Sequence, residues 1–366
     1  MKIIGSVKED LNTEKRISIT PETTKKFADS KFSIFLEKNY GEHLGIPDKE
    51  YVNKGANFFS SAKEVIDKSD IILKVNSLSD DLVSTIKSKT IVIGQFDLFL
   101  NKDIINKLLK KEVKIFSLTQ LPRITRAQSM DVLSSQANLA GYRSVIESVE
   151  AFGKAVPMMM TAAGTITPAR ILIIGVGVAG LQAIATAKRL GGIVSATDVR
   201  TAAKEQVESL GAKFLVVEGA ENLETSGGYA KEGDENFKKK QEKLLTEAVK
   251  KNDIVICTAL IPGKKAPRII SEEMVNGMSP GSIIYDLAVG QGGNCAYSEP
   301  DKIKLINGVK IMGSSNILNN LALTASNLFA KNLSNFVNNL YSKEKKDIFI
   351  NQDDEIINKT LISKEL

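Results

Sequence analysis

The chain has 366 residues, enough for two domains of ordinary size, and 43% of the residues are hydrophobic while 25% are charged. This composition is typical of a globular protein, and no apolar run approaches the roughly 18 residues of a membrane span. The net charge of +6 comes from lysines spread along the chain, and no nucleic-acid-binding module accompanies them. Nucleic acid is therefore not an expected partner.

Disulfide and metal chemistry are not expected either. Cys257 and Cys295 are the only cysteines, which is too few for a disulfide framework or a cysteine-rich metal site. The only histidine, His43, lies in the predicted loop YGEHLGIPD without neighbours suited to nucleophilic or metal chemistry. The N-terminal stretch MKIIGSVKED becomes charged before a signal-peptide apolar region can form, so we expect a cytoplasmic chain.

The first third of the chain alternates β-rich runs with helical ones. Strands are predicted at KIIGSV, SIFLE, DIILKV, TIVIGQF and VKIFSL, and helices at PETTKKFADS and NKDIINKLLKK. Thr20 before Pro21 supplies a helix cap followed by a first-turn proline. This alternation is typical of α/β layers around a mostly parallel sheet.

The stretch RITRAQSMDVLSSQ follows, and it concentrates polar side chains ahead of a long helical run. Arg123, Gln128, Asp131 and Ser134 stand at spacings of five, three and three residues. They suit hydrogen bonding to a polar ligand, although no histidine or cysteine is near them. An Arg–Asp pair that only ties down the loop is the alternative interpretation.

The domain organisation is predicted from two long helical runs, SSQANLAGYRSVIESVEAF from Ser134 to Phe152 and a second from Leu321 to Leu340. Between them lie six more strand candidates, ARILIIGVGVAG, GIVSATD, KFLVV, DIVICTAL, GSIIYDLA and VKIMG. The tail DIFINQDDEIINKTLI reads as a hairpin around QDDE. We therefore expect an α/β protein with two Rossmann-like domains, residues 1–133 plus 321–366 and residues 134–320, with mostly parallel sheets joined by long helices around a cofactor cleft.

A glycine-rich turn is the strongest local motif. In RILIIGVGVAG a strand leads directly into Gly175, Gly177 and Gly180, and the helix LQAIATAKRL follows. In this context the first glycine permits a tight turn and the second lets the backbone approach a pyrophosphate. The third lets the helix sit close to the sheet, with its N-terminus on the phosphates. A dinucleotide site is predicted, and the alternative is a Rossmann sheet without a cofactor.

Asp198 indicates which dinucleotide is bound. It ends the next predicted strand, 23 residues after Gly175, where an acid hydrogen-bonds the adenosine ribose and repels a 2′-phosphate. NAD is therefore expected over NADP. Arg200 is a counter-signal, because a nearby arginine can accept that phosphate.

Several longer stretches resemble one family, proton-translocating nicotinamide nucleotide transhydrogenase, in its NAD(H)-binding domain I of the alpha subunit. They are RAQSMDVLSSQ, PMMMTAAGT, GVGVAGLQAIATAKRLG, TDVR, AAKEQVESLGAKF, GGYAKE, TALIPGK and GGNC. The resemblance covers essentially the whole chain and is densest from Leu121 to Asn294. The sequence departs from the family after Asn316, where proline and arginine are usual and ILNNLALTAS stands here.

The resemblance implies an activity that needs partners. It implies NAD(H) bound in a cleft between two Rossmann-like domains of a homodimer, and direct hydride exchange with NADP(H) on a separate domain III of a beta subunit. A membrane subunit would couple the exchange to proton translocation and hold the chain at the inner face of the cytoplasmic membrane. The chain would thus be part of a Re/Si-specific NAD(P)+ transhydrogenase, active only with its partner subunits.

The resemblance also assigns residues. Arg123 and Asp131 would hold the nicotinamide end of NAD, Ser134 would support the carboxamide, and Gln128 would reach toward the partner's nucleotide. Such a site needs alignment rather than a general acid or base. The polar stretch ETSGGYAKEGDENFKKKQ matches a mobile loop that folds over NAD. Further matches to nucleotide-contacting positions are Gly228, Tyr229, Gln241, Val178, Leu260 and the run Asp198, Val199 and Arg200.

Alanine dehydrogenase, which shares this architecture, is the alternative enzyme. Arg16 and Lys74 resemble its substrate-binding residues, but Gln95 and Gly290 stand where that family has a histidine and an aspartate for proton transfer. We therefore expect Arg16 and Lys74 to be structural or surface residues. A module that senses NAD for some other partner is a third, non-enzyme possibility.

Overall fold

The computed structural model of the protein describes residues 1–98, 100–217, 235–260, 265–342 and 344–364. Their contacts divide the chain into two compact units, residues 1–136 with 318–366 and residues 137–317. Each unit contains a seven-stranded, mostly parallel sheet, so the α/β class and the mostly parallel sheets expected from the sequence are confirmed. Across the described ranges, no helix combines the length and apolar character needed to cross a bilayer.

The elements have the following bounds in chain order. The strands are β1 (Ile3–Ser6), β2 (Ser33–Glu37), β3 (Ala56–Phe59), β4 (Ile71–Leu73), β5 (Ile91–Gly94), β6 (Lys114–Ser117), β7 (Met159–Thr161), β8 (Gly164–Ile166), β9 (Arg170–Ile174), β10 (Ile193–Thr197), β11 (Lys213–Phe214), β12 (Ile254–Cys257), β13 (Ile283–Asp286), β14 (Lys304–Ile306), β15 (Val309–Met312), β16 (Tyr341–Ser342), β17 (Asp347–Ile348) and β18 (Leu361–Ile362). The helices are α1 (Pro21–Asp29), α2 (Asp48–Val52), α3 (Ala62–Lys68), α4 (Asp80–Thr85), α5 (Lys102–Lys110), α6 (Val132–Ala151), α7 (Val178–Arg189), α8 (Ala203–Ser209), α9 (Glu235–Lys250), α10 (Glu272–Asn276), α11 (Ala322–Leu340) and α12 (Glu355–Thr360). Short 3-10 helices span Glu42–Leu44, Leu118–Gln120, Thr125–Met130, Val289–Gln291 and Ile317–Leu321.

The sheet of the first unit has the strand order β18-β6-β5-β4-β1-β2-β3, and only β18 is antiparallel to its neighbour. The chain adds β2 and β3 on one side of β1 and then returns to add β4, β5 and β6 on the other. Both faces are covered, because Ile4 and Ile71 pack in one cluster with Phe329 of α11, whereas Ile72 packs in another with Leu108 of α5. Burial on both faces explains the continuous apolar runs in the sequence.

The sheet of the second unit repeats this scheme in the order β11-β10-β9-β12-β13-β15-β14, and only β14 is antiparallel to its neighbour. The order reverses at β9, which has β10 on one side and β12 on the other. Helix α7 contacts β9 and β10, and residues of α9 and α10 share a core cluster with Leu172 and Ile174 of β9. In such a sheet, ligands bind outside the carboxyl ends of the strands where the order reverses.

Two connections join the units along the chain. The first unit passes into the second within α6, and the chain returns at the 3-10 helix Ile317–Leu321, just ahead of α11. The departure from the family after Asn316 therefore falls on this short helix. Helix α1 begins at Pro21 as expected, because the Thr20 hydroxyl accepts a hydrogen bond from the Thr23 N–H and the Thr23 hydroxyl accepts one from the Thr20 N–H.

The hairpin predicted for the C-terminal tail is wrong. β17 pairs with β16, whereas the run after QDDE forms α12 and then β18, which pairs with β6. The Asp354 carboxylate accepts the N–H of Ile356 and so caps α12. Ile356 and Ile357 are both buried, which a helix achieves here because the two residues face the core of the first unit together.

Candidate nucleotide-binding site

The glycine turn lies at the carboxyl end of β9 and leads into α7. Gly175 has φ +91°, a conformation that favours glycine. Gly177 is the N-cap of α7, with φ −82° and ψ −167°, and a Cβ at this position would meet nothing within 4 Å. The N–H groups of the first helical turn therefore face open space beside Gly177, an arrangement that suits a phosphate group.

Gly180 has a different task from Gly177. A Cβ on Gly180 would lie 2.0 Å from the carbonyl oxygen of Gly175 and 3.3 Å from the Thr258 hydroxyl. The Thr258 hydroxyl itself donates a hydrogen bond of 2.8 Å to the Gly175 carbonyl. Gly180 thus lets α7 pack against the turn, and Thr258 joins the turn to the end of β12. Thr258 was not identified from the sequence, although it stands inside the family stretch TALIPGK.

Asp198 and Arg200 meet at the same turn. Oδ2 of Asp198 accepts the Val176 N–H at 2.6 Å, and Arg200 donates to the carboxylate from its Nε and Nη2, both at 2.8 Å. Burial is the largest influence on the pKa of Asp198 and raises it, but the hydrogen bonds from Arg200 and Val176 together lower that pKa below its ordinary value. A fixed, ionised carboxylate therefore stands beside the turn, and the guanidinium that could accept a 2′-phosphate is paired with it.

The other predicted residues of the second unit lie in several places. Val178 opens α7 and Leu260 follows β12, and both are exposed. Val199 is half-buried between Asp198 and Arg200. Gln241 is half-buried on α9, a different helix from the one that follows the glycine turn. Gly228 and Tyr229 lie outside the described residues.

Asn294 supports the end of β12 from the loop after β13. Its Oδ1 accepts the Ala259 N–H at 3.2 Å, and its Nδ2 donates to the carbonyls of Ala259 and Pro267 at 2.9 and 2.8 Å. The Asp286 carboxylate in turn accepts the Asn294 N–H at 2.7 Å. The stretch GGNC marked only the family in the sequence, and this role of Asn294 was missed. Gly290, in the same loop, has room for a side chain, since a Cβ there would come no nearer than 3.6 Å to the Ser315 carbonyl oxygen.

In the first unit, the predicted ligand-positioning loop is a 3-10 helix followed by the start of α6. Arg123 and Gln128 are exposed. Asp131 accepts both the Ser134 N–H at 2.9 Å and the Ser134 hydroxyl at 2.6 Å, so the two residues form a helix cap. The structure thus brings Asp131 and Ser134 together and leaves Gln128 on the surface of the 3-10 helix.

The C-terminal region of the chain holds this 3-10 helix in place. Arg126 donates two hydrogen bonds of 2.7 Å to the Asp354 carboxylate. The Ser129 carbonyl accepts the side-chain amides of Asn332 and Asn335 at 2.8 and 2.9 Å. None of these residues was identified from the sequence, and no local pattern marks them. Together they fix the backbone on both sides of Gln128.

The residues that resemble those of alanine dehydrogenase are buried rather than on the surface. Arg16 pairs with Glu14 at 2.7 Å and Lys74 with Glu9 at 2.9 Å, and all four side chains are buried. Gln95 follows β5, and its Oε1 accepts no hydrogen bond from any described residue. Both Arg16 and Lys74 are therefore structural in the sense that a buried carboxylate already pairs with each.

The remaining nucleophilic and metal-binding candidates are engaged or protonated. The Nε2 of His43 lies 2.8 Å from the Lys15 carbonyl oxygen in an exposed turn. Burial raises the pKa of the Cys257 thiol well above its ordinary value and also raises the pKa of the Cys295 thiol. Within the ranges that the structure covers, no group of three or more His, Cys, Asp or Glu side chains could hold a metal ion.

Comparison with known proteins gives two kinds of match. The family descriptions "Alanine dehydrogenase/PNT, N-terminal domain" and "Alanine dehydrogenase/PNT, C-terminal domain" match residues 5–140 and 144–365. The first polypeptide of the NAD(P) transhydrogenase alpha subunit of Rhodospirillum rubrum is 47% identical over 369 residues, covering 99% of this chain and 96% of that protein. The crystal structure of transhydrogenase from Sinorhizobium meliloti matches with TM-score 0.88 and 42% identity, over 100% of this chain and 99% of that one. A structure of L-alanine dehydrogenase matches with TM-score 0.80 at 21% identity, over 98% and 94% of the two chains, and shows a shared fold.

Proposed function

The chain belongs to the alanine dehydrogenase/PNT family, and from that premise we propose that it is the NAD(H)-binding component of a proton-translocating NAD(P) transhydrogenase. The resemblance to the transhydrogenase alpha subunit is confirmed by the 47% identity over nearly the whole chain. The proposed reaction is Re/Si-specific hydride exchange between NAD(H) on this chain and NADP(H) on a partner domain. A membrane subunit would couple it to proton movement.

The observation that carries the choice of nucleotide is the Asp198–Arg200 pair beside the glycine turn. The open face at Gly177 fits a pyrophosphate. The ionised Asp198 can accept a ribose hydroxyl and repels a 2′-phosphate. Arg200 is committed to Asp198 through its Nε and Nη2, so it does not offset that repulsion. Both features favour NAD(H) over NADP(H).

Bound NAD(H) supplies the hydride chemistry, and the residues of the chain orient it. Arg123 and Asp131 would hold the nicotinamide end and Ser134 the carboxamide, with the cap between Asp131 and Ser134 setting their geometry in advance. Gln128 would face the partner's nucleotide. Contacts elsewhere on NAD(H) would come from Val178, Val199, Gly228, Tyr229, Gln241 and Leu260.

The proposed assembly follows the family. Two copies of the chain would form a homodimer, and the NADP-binding beta subunit and the membrane subunit would complete the enzyme at the inner face of the cytoplasmic membrane. The alanine dehydrogenase alternative is disfavoured because Gln95 and Gly290 replace its proton-transfer residues. Arg16 and Lys74 are, in addition, each neutralised by a buried glutamate.

The test uses the purified chain alone and then with partners. The chain should bind NADH yet oxidise none of it with pyruvate and ammonia, because it offers no acid–base pair for a small substrate. Adding an NADP-binding component with oxidised nucleotide should start hydride exchange, followed by absorbance with an NAD analogue. NADH oxidation by the isolated chain that depends on pyruvate and ammonia would refute the proposal in favour of alanine dehydrogenase.

A further inference from the structure

The order of the strands in the second unit divides the nucleotide site into two halves. Asp198 follows β10 on one side of β9, and Thr258 to Leu260 follow β12 on the other side. If the pyrophosphate lies at the start of α7 and the adenosine ribose at Asp198, a dinucleotide that continues in the same direction crosses the end of β12 with its nicotinamide half. The backbone of Ala259 and Leu260 is then a floor for that half.

What fixes this floor is a single side chain. Asn294 is fully buried, and its amide uses its acceptor and both donor hydrogens on Ala259 and Pro267. The amide therefore pairs with Ala259 as a neighbouring backbone peptide would, at a point beyond the last paired residue of β12. The orientation of the amide is unambiguous, because its nitrogen faces two carbonyls and its oxygen faces an N–H group.

Asn294 is itself held rigidly. The Asp286 carboxylate accepts the backbone N–H groups of Ala288, Asn294 and Cys295 and the hydroxyl of Ser298. The Asn294 carbonyl accepts the N–H groups of Ile269 and Ile270. On the far side, Thr258 continues the connection to the Gly175 carbonyl. A continuous hydrogen-bonded path thus runs from the end of β13 through Asn294 and the end of β12 to the glycine turn.

We propose that Asn294 is a positioning residue that holds the Thr258–Leu260 segment at the height required by the nicotinamide half of the dinucleotide. This inference rests on the proposed binding of NAD(H). Removal of the amide leaves one N–H and two carbonyls of the segment without partners, and such groups regain hydrogen bonds by moving toward water. The adenosine half, which lies over β10, does not depend on this segment.

The experiment compares two probes, NADH and ADP, because ADP lacks the nicotinamide half. Asn294→Ala should weaken NADH binding about tenfold in calorimetry and change the ADP dissociation constant by less than about twofold. Asn294→Asp has the same size but turns an oxygen toward the two carbonyls, so it should show the same selective loss. Asn276→Ala is the matched control, because the Asn276 side chain pairs with Asn307 in an exposed position of the same unit, and it should alter neither affinity.

Equal weakening of NADH and ADP by the Asn294 variants, or no weakening of either, would overturn the proposal. Failure of the unmodified chain to bind NADH would instead count against the proposed function. Should both variants fail to fold, amide hydrogen exchange in the unmodified chain decides the matter. NADH should slow exchange at Ala259 and Leu260 and ADP should not, and equal protection by the two nucleotides would contradict the assignment of this segment to the nicotinamide half.

Discussion

The two glycines Gly177 and Gly180 lie three residues apart, yet the structure predicts opposite consequences for adding the same methyl group to each. At Gly177 a Cβ meets no atom within 4 Å and the backbone is extended, so Gly177→Ala should fold normally, with a stability change within about 0.5 kcal/mol. The new methyl group would, however, project into the space assigned to the pyrophosphate. NADH affinity should therefore fall by about 10- to 100-fold, the range for an overpacked contact of 1–3 kcal/mol.

At Gly180 the methyl group meets the protein itself. Its Cβ would be 2.0 Å from the Gly175 carbonyl oxygen, so α7 or the turn must move by about 1 Å. Overpacking of this kind costs about 1–3 kcal/mol, and the better helix propensity of alanine offsets up to about 1 kcal/mol of it. The net loss of about 1–2 kcal/mol corresponds to a fall in melting temperature of about 2–8 °C.

Thermal melts and NADH titrations of both variants test these two expectations. Gly153→Ala is the control, because a Cβ there also meets nothing within 4 Å and the residue belongs to the same unit. It should leave both melting temperature and affinity unchanged. A Gly177→Ala variant that binds NADH as tightly as the unmodified chain, or a Gly180→Ala variant that melts at the same temperature as the control, would refute the assignment of space at this turn.

Three further predictions concern single side chains. Asp198→Ala should weaken NADH binding and narrow the preference over NADPH, because it removes the repelling carboxylate and releases Arg200; calorimetry with both nucleotides checks this, and an unchanged preference would contradict it. Gln128→Asn should leave NADH affinity nearly intact while slowing hydride exchange with an NADP-binding component by orders of magnitude, whereas a loss of affinity equal to the loss of rate would make Gln128 an ordinary ligand contact. Arg126 lowers the pKa of Asp354, so this carboxylate stabilises the folded state at pH values above its ordinary pKa, and the contribution is lost as the pH falls through the lowered value. Asp354→Asn keeps a capping side chain but loses the charge, and in urea titrations it should cost less than about 1 kcal/mol at pH 7, since Arg126 is half exposed, and nothing near pH 2; an equal cost at both pH values would exclude the ion pair as its source.

The glycine turn could be predicted because its signals are local. The strand, the three glycines, the helix and Asp198 follow one another within 30 residues, and each has a conformational or chemical reason that is readable in sequence. The tail could not be predicted in the same way. Its alternating apolar residues fit a strand as well as a helix, and the outcome depends on the cap at Asp354 and on burial of Ile356 and Ile357.

Other features were missed because their causes are distant in sequence. Thr258 and Asn294 act through contacts with residues 83 and 35 positions away, and Arg126 acts through a residue 228 positions away. Amphipathic periodicity carries no information about such pairs. The edge strands β3 and β14 were also missed, since short strands at the edge of a sheet have few buried residues to mark them.

The dependence of the Gln128 helix on Asp354 sets an order of events during synthesis. A ribosome adds about 5–20 residues per second, so the 228 residues between Arg126 and Asp354 take roughly 10 to 50 s to follow. The second unit, residues 137–317, is a single uninterrupted stretch and is fully translated before that partner emerges. The nascent chain can therefore acquire its phosphate-binding turn well before the segment that faces the second nucleotide is anchored, and fragments that stop short of residue 354 should retain the first property without the second.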